Sequence, residues 1–247
     1  MLRAFDADHR ELGLSEVARI AGLTRAAARR FLLTLVSLGY MNQSDGRFSL
    51  SPRVLELGYA YLSSLTLPEV AQPHMETLVA SVNESSSISV LDGTEIVYVA
   101  RVPTRRIMSI TLSVGTRLPA YCTSMGRVLL AALPDEVLEA RLAQIEMRPL
   151  SAHTITDVDV LRTVLKRVRI QGWAAVDQEL EEGLRSLAVP ICDSSGTALA
   201  ALNISVHATR GSMAMMRRNL LPLAKEAARA IEQDLRRSGA FGRVAAE

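Results

Sequence analysis

One stretch, residues 14–50, constrains this chain more than any other, because its capping and turn residues fall in the order of two short helices followed by a hairpin. Ser15 is placed to cap a first helix, and Gly22 follows it where a left-handed residue would end the helix. Thr24 is placed to cap a second helix that runs to Gly39. Helices joined by so short a glycine-containing turn match the helix-turn-helix pattern. Along the second helix, Ala28, Phe31, Leu32, Leu35 and Leu38 recur at helical spacing and are expected to pack inward. Arg25, Ala26, Arg29, Arg30 and Leu33 fall on the other side, so three guanidinium groups share the exposed N-terminal turns. Arginine there can fork onto guanine edges or neutralise phosphates in a major groove. The Asp45-Gly46 step between Tyr40–Gln43 and Arg47–Leu50 is a hairpin signal, and a hairpin after a recognition helix is a wing with Arg47 at its tip. The candidate DNA-contacting residues are therefore Ser15, Thr24, Arg25, Ala26, Arg29, Arg30 and Arg47.

Charge distribution supports that reading more than total charge does. The 247 residues carry a net charge of only +2. Residues 15–53 alone hold six arginines against Glu16 and Asp45, a local +4, so positive charge is concentrated on the helical pair and its hairpin. A chain that is 49% hydrophobic and 22% charged belongs with ordinary globular proteins. No apolar run approaches the roughly 18 residues of a membrane span, and no basic-then-apolar leader opens the sequence. A cytoplasmic protein without membrane contact is expected. Cys122 and Cys192 are far apart, and the four histidines show no ligand spacing, so neither a disulfide, a metal site nor a cofactor is expected.

After the wing, Arg53 to about Ser63 and Glu69 to Val82 read as helices, with Pro68 suited to a first turn. Strands are expected at 86–91, 95–102, 106–112, 173–177, 186–192 and 198–206. Asp92-Gly93-Thr94 and Asp193–Gly196 are the turns between neighbouring strands. Helices are expected at 123–132, 135–143, 157–171 and 213–237. The fold class is α+β: an N-terminal winged helix-turn-helix (1–52), a helical linker (53–72) and a C-terminal antiparallel-sheet domain (73–247).

Three stretches of the second domain mix glycine, proline and polar groups in ways a plain sheet does not need: Gly115–Arg127, Asp177–Ser186 and Leu199–Val206. Thr123 can cap the helix that follows it, whose N-terminal amides suit an anion. Asn203 and Ser205 alternate onto one face among apolar neighbours, where polar groups either bond one another or line a cavity. Arg101, Arg105 and Arg106 flank the Pro103-Thr104 turn, and one buried arginine could clamp a carboxylate. A second domain that only oligomerises, or a Cys122 nucleophile assisted by His153 and Asp157, are the competing readings.

Several of these segments together resemble the isocitrate lyase regulator (IclR) family of bacterial transcription factors. The resemblance covers nearly the whole chain and rests on Gly22-Leu23-Thr24-Arg25, Leu38-Gly39-Tyr40, Gly115-Thr116-Arg117-Leu118-Pro119, Ser124-Met125-Gly126-Arg127 and the run from Asp177-Gln178-Glu179 through Gly183 to Pro190. Arg101–Met108 and Pro119–Arg127 further resemble the branch that regulates protocatechuate and 4-hydroxybenzoate catabolism in the beta-ketoadipate pathway. The resemblance implies a GAF-like effector domain, a homodimer or homotetramer, and a palindromic operator in double-stranded DNA. It also implies a small carboxylate effector, aromatic by the branch resemblance, in a pocket bordered by the three polar stretches. The candidate effector residues are Arg106, Tyr121, Cys122, Ser124, Met125, Asp177, Glu179, Ser186, Asn203 and Ser205. Where some members carry a pocket acid, this chain has Val176. Members usually carry more residues before the position of Leu2, so the first helix of the winged module is expected to be short.

Overall fold

A computed structural model describes residues 1–6, 8–57, 66–104 and 112–237. The chain divides into two compact units, Met1–Ser64 and Leu65–Glu247. The division falls inside the segment read as a linker.

In the first unit, a single 3-10 turn (Leu2–Ala4) is followed by β1 (Glu11–Gly13), α1 (Leu14–Ile20), α2 (Arg25–Ser37), β2 (Met41–Ser44) and β3 (Arg47–Leu50). The three strands are antiparallel in the order β1-β3-β2. Ser44 pairs with Arg47 across a two-residue turn. Asp45 and Gly46 both adopt positive φ there (49° and 75°), the conformation a tight hairpin requires and Asp-Gly tolerates. Thr24 caps α2 as expected, its Oγ1 accepting the Ala27 N–H at 3.2 Å.

Two expectations are corrected in this unit. Ser15 does not cap α1. The helix starts two residues earlier, with Gly13 as its cap, whose N–H donates to Glu16 Oε2 at 2.7 Å, and Ser15 lies exposed within the first turn. Phe31 and Leu38 do not pack inward; they are 46% and 52% exposed. The buried stripe is narrower, with Ala28 and Leu32 fully covered and Leu35 packed against the cluster of Val17, Leu32, Met41 and Phe48. Phe31 and Leu38 fall some 60–80° to one side of that stripe at about 100° per residue, away from the face that α1 and the three short strands cover.

The second unit is a six-stranded antiparallel sheet, in the order β6 (Arg117–Pro119), β5 (Glu95–Val102), β4 (Ser85–Asp92), β9 (Ala198–His207), β8 (Leu184–Cys192) and β7 (Ala174–Asp177). On one face lie α3 (Thr66–Val82), packed on β4 and β5, and α7 (Leu221–Arg237), packed on β8 and β9. The turn Met213–Met215 and a π-helical turn, Met216–Leu220, lead into α7. On the other face α4 (Ser124–Ala132) crosses β4, β5, β7, β8 and β9, backed by α5 (Asp135–Leu142) and α6 (Val158–Gln171). Both sheet faces are thus buried, which accounts for strands that read as near-continuous apolar runs. The strands β1 and β6, three residues each, were not anticipated from the sequence. The expected strand at 106–112 and the rest of the helix from Arg53 lie largely outside the described residues.

Two local features set the geometry of the α4 face. The β4–β5 ladder pairs Ile88 with Ala100 but Ser89 with Tyr98, leaving Val99 as an extra residue in a bulge. Gly126, in the first turn of α4, lies so close to the preceding chain that a Cβ there would sit 2.2 Å from the Ala120 carbonyl oxygen and 2.4 Å from its Cα. Because the obstruction is backbone, Gly126→Ala should cost about 3 kcal/mol, the upper end for overpacking. Urea unfolding will show a lower midpoint, by that free energy divided by the m-value; an unchanged midpoint would mean that α4 sits elsewhere.

Candidate functional site

The first unit presents its cations along α2. Thr24, Arg25, Ala26, Arg29 and Arg30 are all exposed. Among the described residues, neither Arg25 nor Arg29 has a hydrogen-bond or ion-pair partner. Arg30 lies over the Phe31 ring at 5.8 Å. Arg47 is held differently from the expectation of a free wing tip. Its Nη2 donates to the Glu11 carbonyl at 2.7 Å and lies 3.7 Å from Glu16 Oε2, so it ties the wing to β1 and α1. Ser15 stays exposed on α1.

The second unit encloses a chamber between the sheet and the N-terminus of α4. Strand alternation sends Asn203 and Ser205 of β9 and Ser186 of β8 toward it, with Val176 from β7. From β5 come both Tyr98 and Arg101. In a regular strand, residues three apart point to opposite faces. The Val99 bulge removes that opposition and brings a phenol and a guanidinium into the same chamber. Cys122, Thr123, Ser124 and Met125 close it at the head of α4, and Leu112, Leu180 and Leu184 complete the apolar wall. The walls nearly meet, leaving free space for about one water.

Most of the chamber's polar groups satisfy one another. Asn203 Oδ1 accepts the Ser87 N–H at 2.9 Å, and its Nδ2 donates to Ser205 Oγ at 3.1 Å. Arg101 Nη1 donates to Ser87 Oγ at 3.1 Å. Ser89 Oγ donates to Met125 Sδ at 3.2 Å. The Thr123 hydroxyl accepts the Gly126 N–H at 3.2 Å and donates to the Pro119 carbonyl at 3.1 Å. The exception is Ser124 Oγ, buried and without a hydrogen-bond partner. It sits in the first turn of a nine-residue helix, whose leading amides have no partner within the helix and carry partial positive charge.

Burial sets the electrostatics of the wall. Desolvation lowers the Arg101 pKa from its ordinary value, with the neighbouring Tyr98 acting in the opposite sense. The Tyr98 hydroxyl is pushed up to about 12 by burial, against the lowering effect of Arg101. Burial likewise pushes the Cys122 thiol up to about 12. A thiol that holds its proton so firmly is no nucleophile at neutral pH.

Of the ten residues expected at an effector site, Cys122, Ser124, Met125, Ser186, Asn203 and Ser205 line this chamber together. Tyr121 does not; its hydroxyl donates to the Arg148 carbonyl at 2.7 Å and accepts the Arg148 N–H at 3.1 Å. Asp177 is drawn off by Arg185 (2.6 Å), which holds its carboxyl below the usual range. Glu179 is buried in an ion pair with Arg127 (2.6 Å) behind the wall. Arg106 lies outside the described residues. Of the three arginines around the Pro103-Thr104 turn, Arg101 lines the chamber, and Arg105, like Arg106, lies outside the described residues. Among the residues not foreseen, Tyr98 is hidden from sequence reasoning by the bulge. Leu112, Leu180 and Leu184 carry no signal beyond being apolar.

Comparison with known proteins places both units. Residues 1–45 match the IclR helix-turn-helix domain, and residues 59–233 match the C-terminal domain of the bacterial transcriptional regulator IclR. This chain belongs to the IclR family. It is 45% identical to the Pca regulon regulatory protein of Pseudomonas putida, over 93% of this chain and 79% of that one. A crystal structure from Rhodococcus sp. RHA1 superposes with a TM-score of 0.83 at 55% identity, covering 96% of this chain and 95% of the other. An IclR homolog from Microbacterium hydrocarbonoxydans, solved in complex with 4-hydroxybenzoate, superposes with a TM-score of 0.80 at 30% identity, covering 95% of each chain. As an IclR protein the chain is a DNA-binding transcriptional regulator and not an enzyme, so the Cys122 nucleophile reading is set aside. No helix among the described residues is long and apolar enough to cross a membrane.

The raised thiol pKa has a direct consequence. Alkylation of Cys122 should stay slow through neutral pH and climb only as the pH rises toward 12, since the protonated form persists to that point. A rate that levels off near pH 8, measured by mass spectrometry of the labelled peptide, would contradict the burial of this side chain.

Proposed function

We propose that this IclR protein is a sensor for a small aromatic carboxylate of the hydroxybenzoate type, which binds in the α4 chamber and alters operator affinity. The observation that carries the reading is the Ser124 hydroxyl, buried without a partner at the head of α4, in a chamber that also holds Arg101. A buried hydroxyl left unpaired costs on the order of 1–3 kcal/mol, and an anionic acceptor would remove that cost while meeting the partial charge of the helix. The apolar wall of Leu112, Val176, Leu180 and Leu184 suits a ring, and Tyr98, Ser186, Asn203 and Ser205 supply partners for ring hydroxyls. The Pca regulon name of the Pseudomonas relative and the 4-hydroxybenzoate in the Microbacterium structure favour the same ligand class.

The output lies in α2. Arg25 and Arg29, one turn apart and with side chains that find no partner among the described residues, are available for base edges, with Arg30 for phosphate. Ser15, Thr24 and Ala26 flank them on the same unit, and Arg47 acts by holding the wing rather than by reaching from its tip. A homodimer, or a homotetramer built from it, would present two such helices to a palindromic operator in double-stranded DNA. Replacing Arg25 or Arg29 with alanine should weaken operator binding by about 1–3 kcal/mol if that residue reads a base, and a gel-shift titration with unchanged affinity would remove the assignment.

Calorimetric titration with 4-hydroxybenzoate and protocatechuate tests the sensor. Ligand at 100 times its Kd stabilises the folded state by about 2.7 kcal/mol, visible as a raised Tm. Arg101→Gln should weaken binding at least tenfold by removing a charge-assisted hydrogen bond. Absence of heat and of any Tm shift across a panel of aromatic acids would sink the reading and leave the second unit an oligomerisation module.

A further inference from the structure

The loop between β7 and β8, residues 178–183, supplies the chamber wall with one side chain, Leu180. The residue before it, Glu179, points away from the chamber and is almost wholly buried. Its Oε2 accepts from Arg127 Nη2 at 2.6 Å and from the Ile155 N–H at 3.0 Å. The two charged side chains are only 3% and 8% exposed. Arg127 belongs to the first turns of α4 and also donates, through Nε, to the Tyr121 carbonyl at 2.8 Å. The same loop is held from a third side, where Ser151 Oγ donates to the Gln178 carbonyl and Thr154 Oγ1 to the Glu179 carbonyl, each at 2.6 Å. One ion pair thus joins the segment that carries Cys122, Thr123 and Ser124 to the loop that carries Leu180.

A solvated pair would hold such a loop weakly. A buried pair is different, because opening it strands a charge without water. The chamber's walls nearly meet, so any occupant must displace part of them. Sheet strands and α4, with the turn that leads into it, are fixed by their ladders and by the Gly126 contact; among the described residues, Leu112 and the 178–183 loop are the parts of the wall outside them, and the loop is the part with a buried charge pair behind it. How far it yields is governed by the pair behind it.

We propose that the buried Arg127–Glu179 pair is a specificity-determining latch, which positions Leu180 against the chamber and sets an upper limit on the bulk of the ring that can enter. Neither residue touches the ligand. Both are positioning residues that act through Leu180, and the size limit rests on the effector reading above.

The test uses the full-length protein and two ligands of one charge and different width, 4-hydroxybenzoate and 3,5-dimethyl-4-hydroxybenzoate. Calorimetry gives the ratio of their Kd values, a quantity that general loss of stability does not move. Glu179→Gln keeps the shape and removes the charge; it should shift the ratio at least tenfold toward the wider ring. Leu180→Ala, which leaves the pair intact, should shift it in the same direction and serves if Glu179→Gln does not fold. An unchanged ratio, including both affinities weakened by one common factor, overturns the proposal. If the wild-type chain binds neither benzoate, the effector reading has failed, and the latch is judged by alkylation of Cys122 in a Cys192→Ser background. Alkylation at least tenfold faster in Glu179→Gln then supports the latch, and an unchanged rate overturns it.

Discussion

The second unit is organised by the burial of both faces of one sheet. With α3 and α7 on one side and α4 on the other, the central strands β4, β9 and β8 have little wet face on which to place polar side chains. The serines of β4 and the Asn203–Ser205 pair of β9 are therefore obliged to find partners inside the protein. They do so laterally: Ser86 Oγ donates to the Asn203 carbonyl at 2.7 Å, while Asn203 in turn holds the Ser87 amide and the Ser205 hydroxyl. This mutual satisfaction adds side-chain bonds to the backbone ladder that sets the register between β4 and β9. It also makes the unmatched hydroxyl at Ser124 conspicuous among the buried side-chain polar atoms of the described residues.

How much of this was legible in the sequence depended on whether the determinant was local. Thr24, Pro68, Asp157 and the Asp45-Gly46 and Gly93-Thr94 turns each mark their element within four residues, and the structure places the corresponding helices and hairpins accordingly. Capping of α1 from Gly13 by Glu16 was missed because a serine nearby offered a more familiar cap. The strands β1 and β6 escaped because three residues cannot show alternation.

The site divided along the same line. Asn203 and Ser205 were visible because period-two alternation exposes a polar face, and Cys122 to Met125 because a helix start is readable. Glu179 was singled out as polar but assigned to the wrong side of the wall, since its partner Arg127 lies 52 residues away and nothing local announces the pairing. Asp177 is a milder case. It pairs directly with Arg185 across the β7–β8 ladder, so a correct hairpin register would have matched the two charges in advance.

The Val99 bulge gives β5 an unusual vulnerability. Most single substitutions in a strand alter one side chain and leave its neighbours facing as before. Regular pairing in place of this bulge, as one residue inserted into β4 opposite Val99 would permit, would instead set Tyr98 and Arg101, three apart, on opposite faces, turning the guanidinium toward the apolar layer under α3 or the phenol away from the chamber. Chemical identity at both positions could be perfectly preserved and the chamber would still lose one of the two groups. For this strand, its register against β4 carries as much information as the residues themselves.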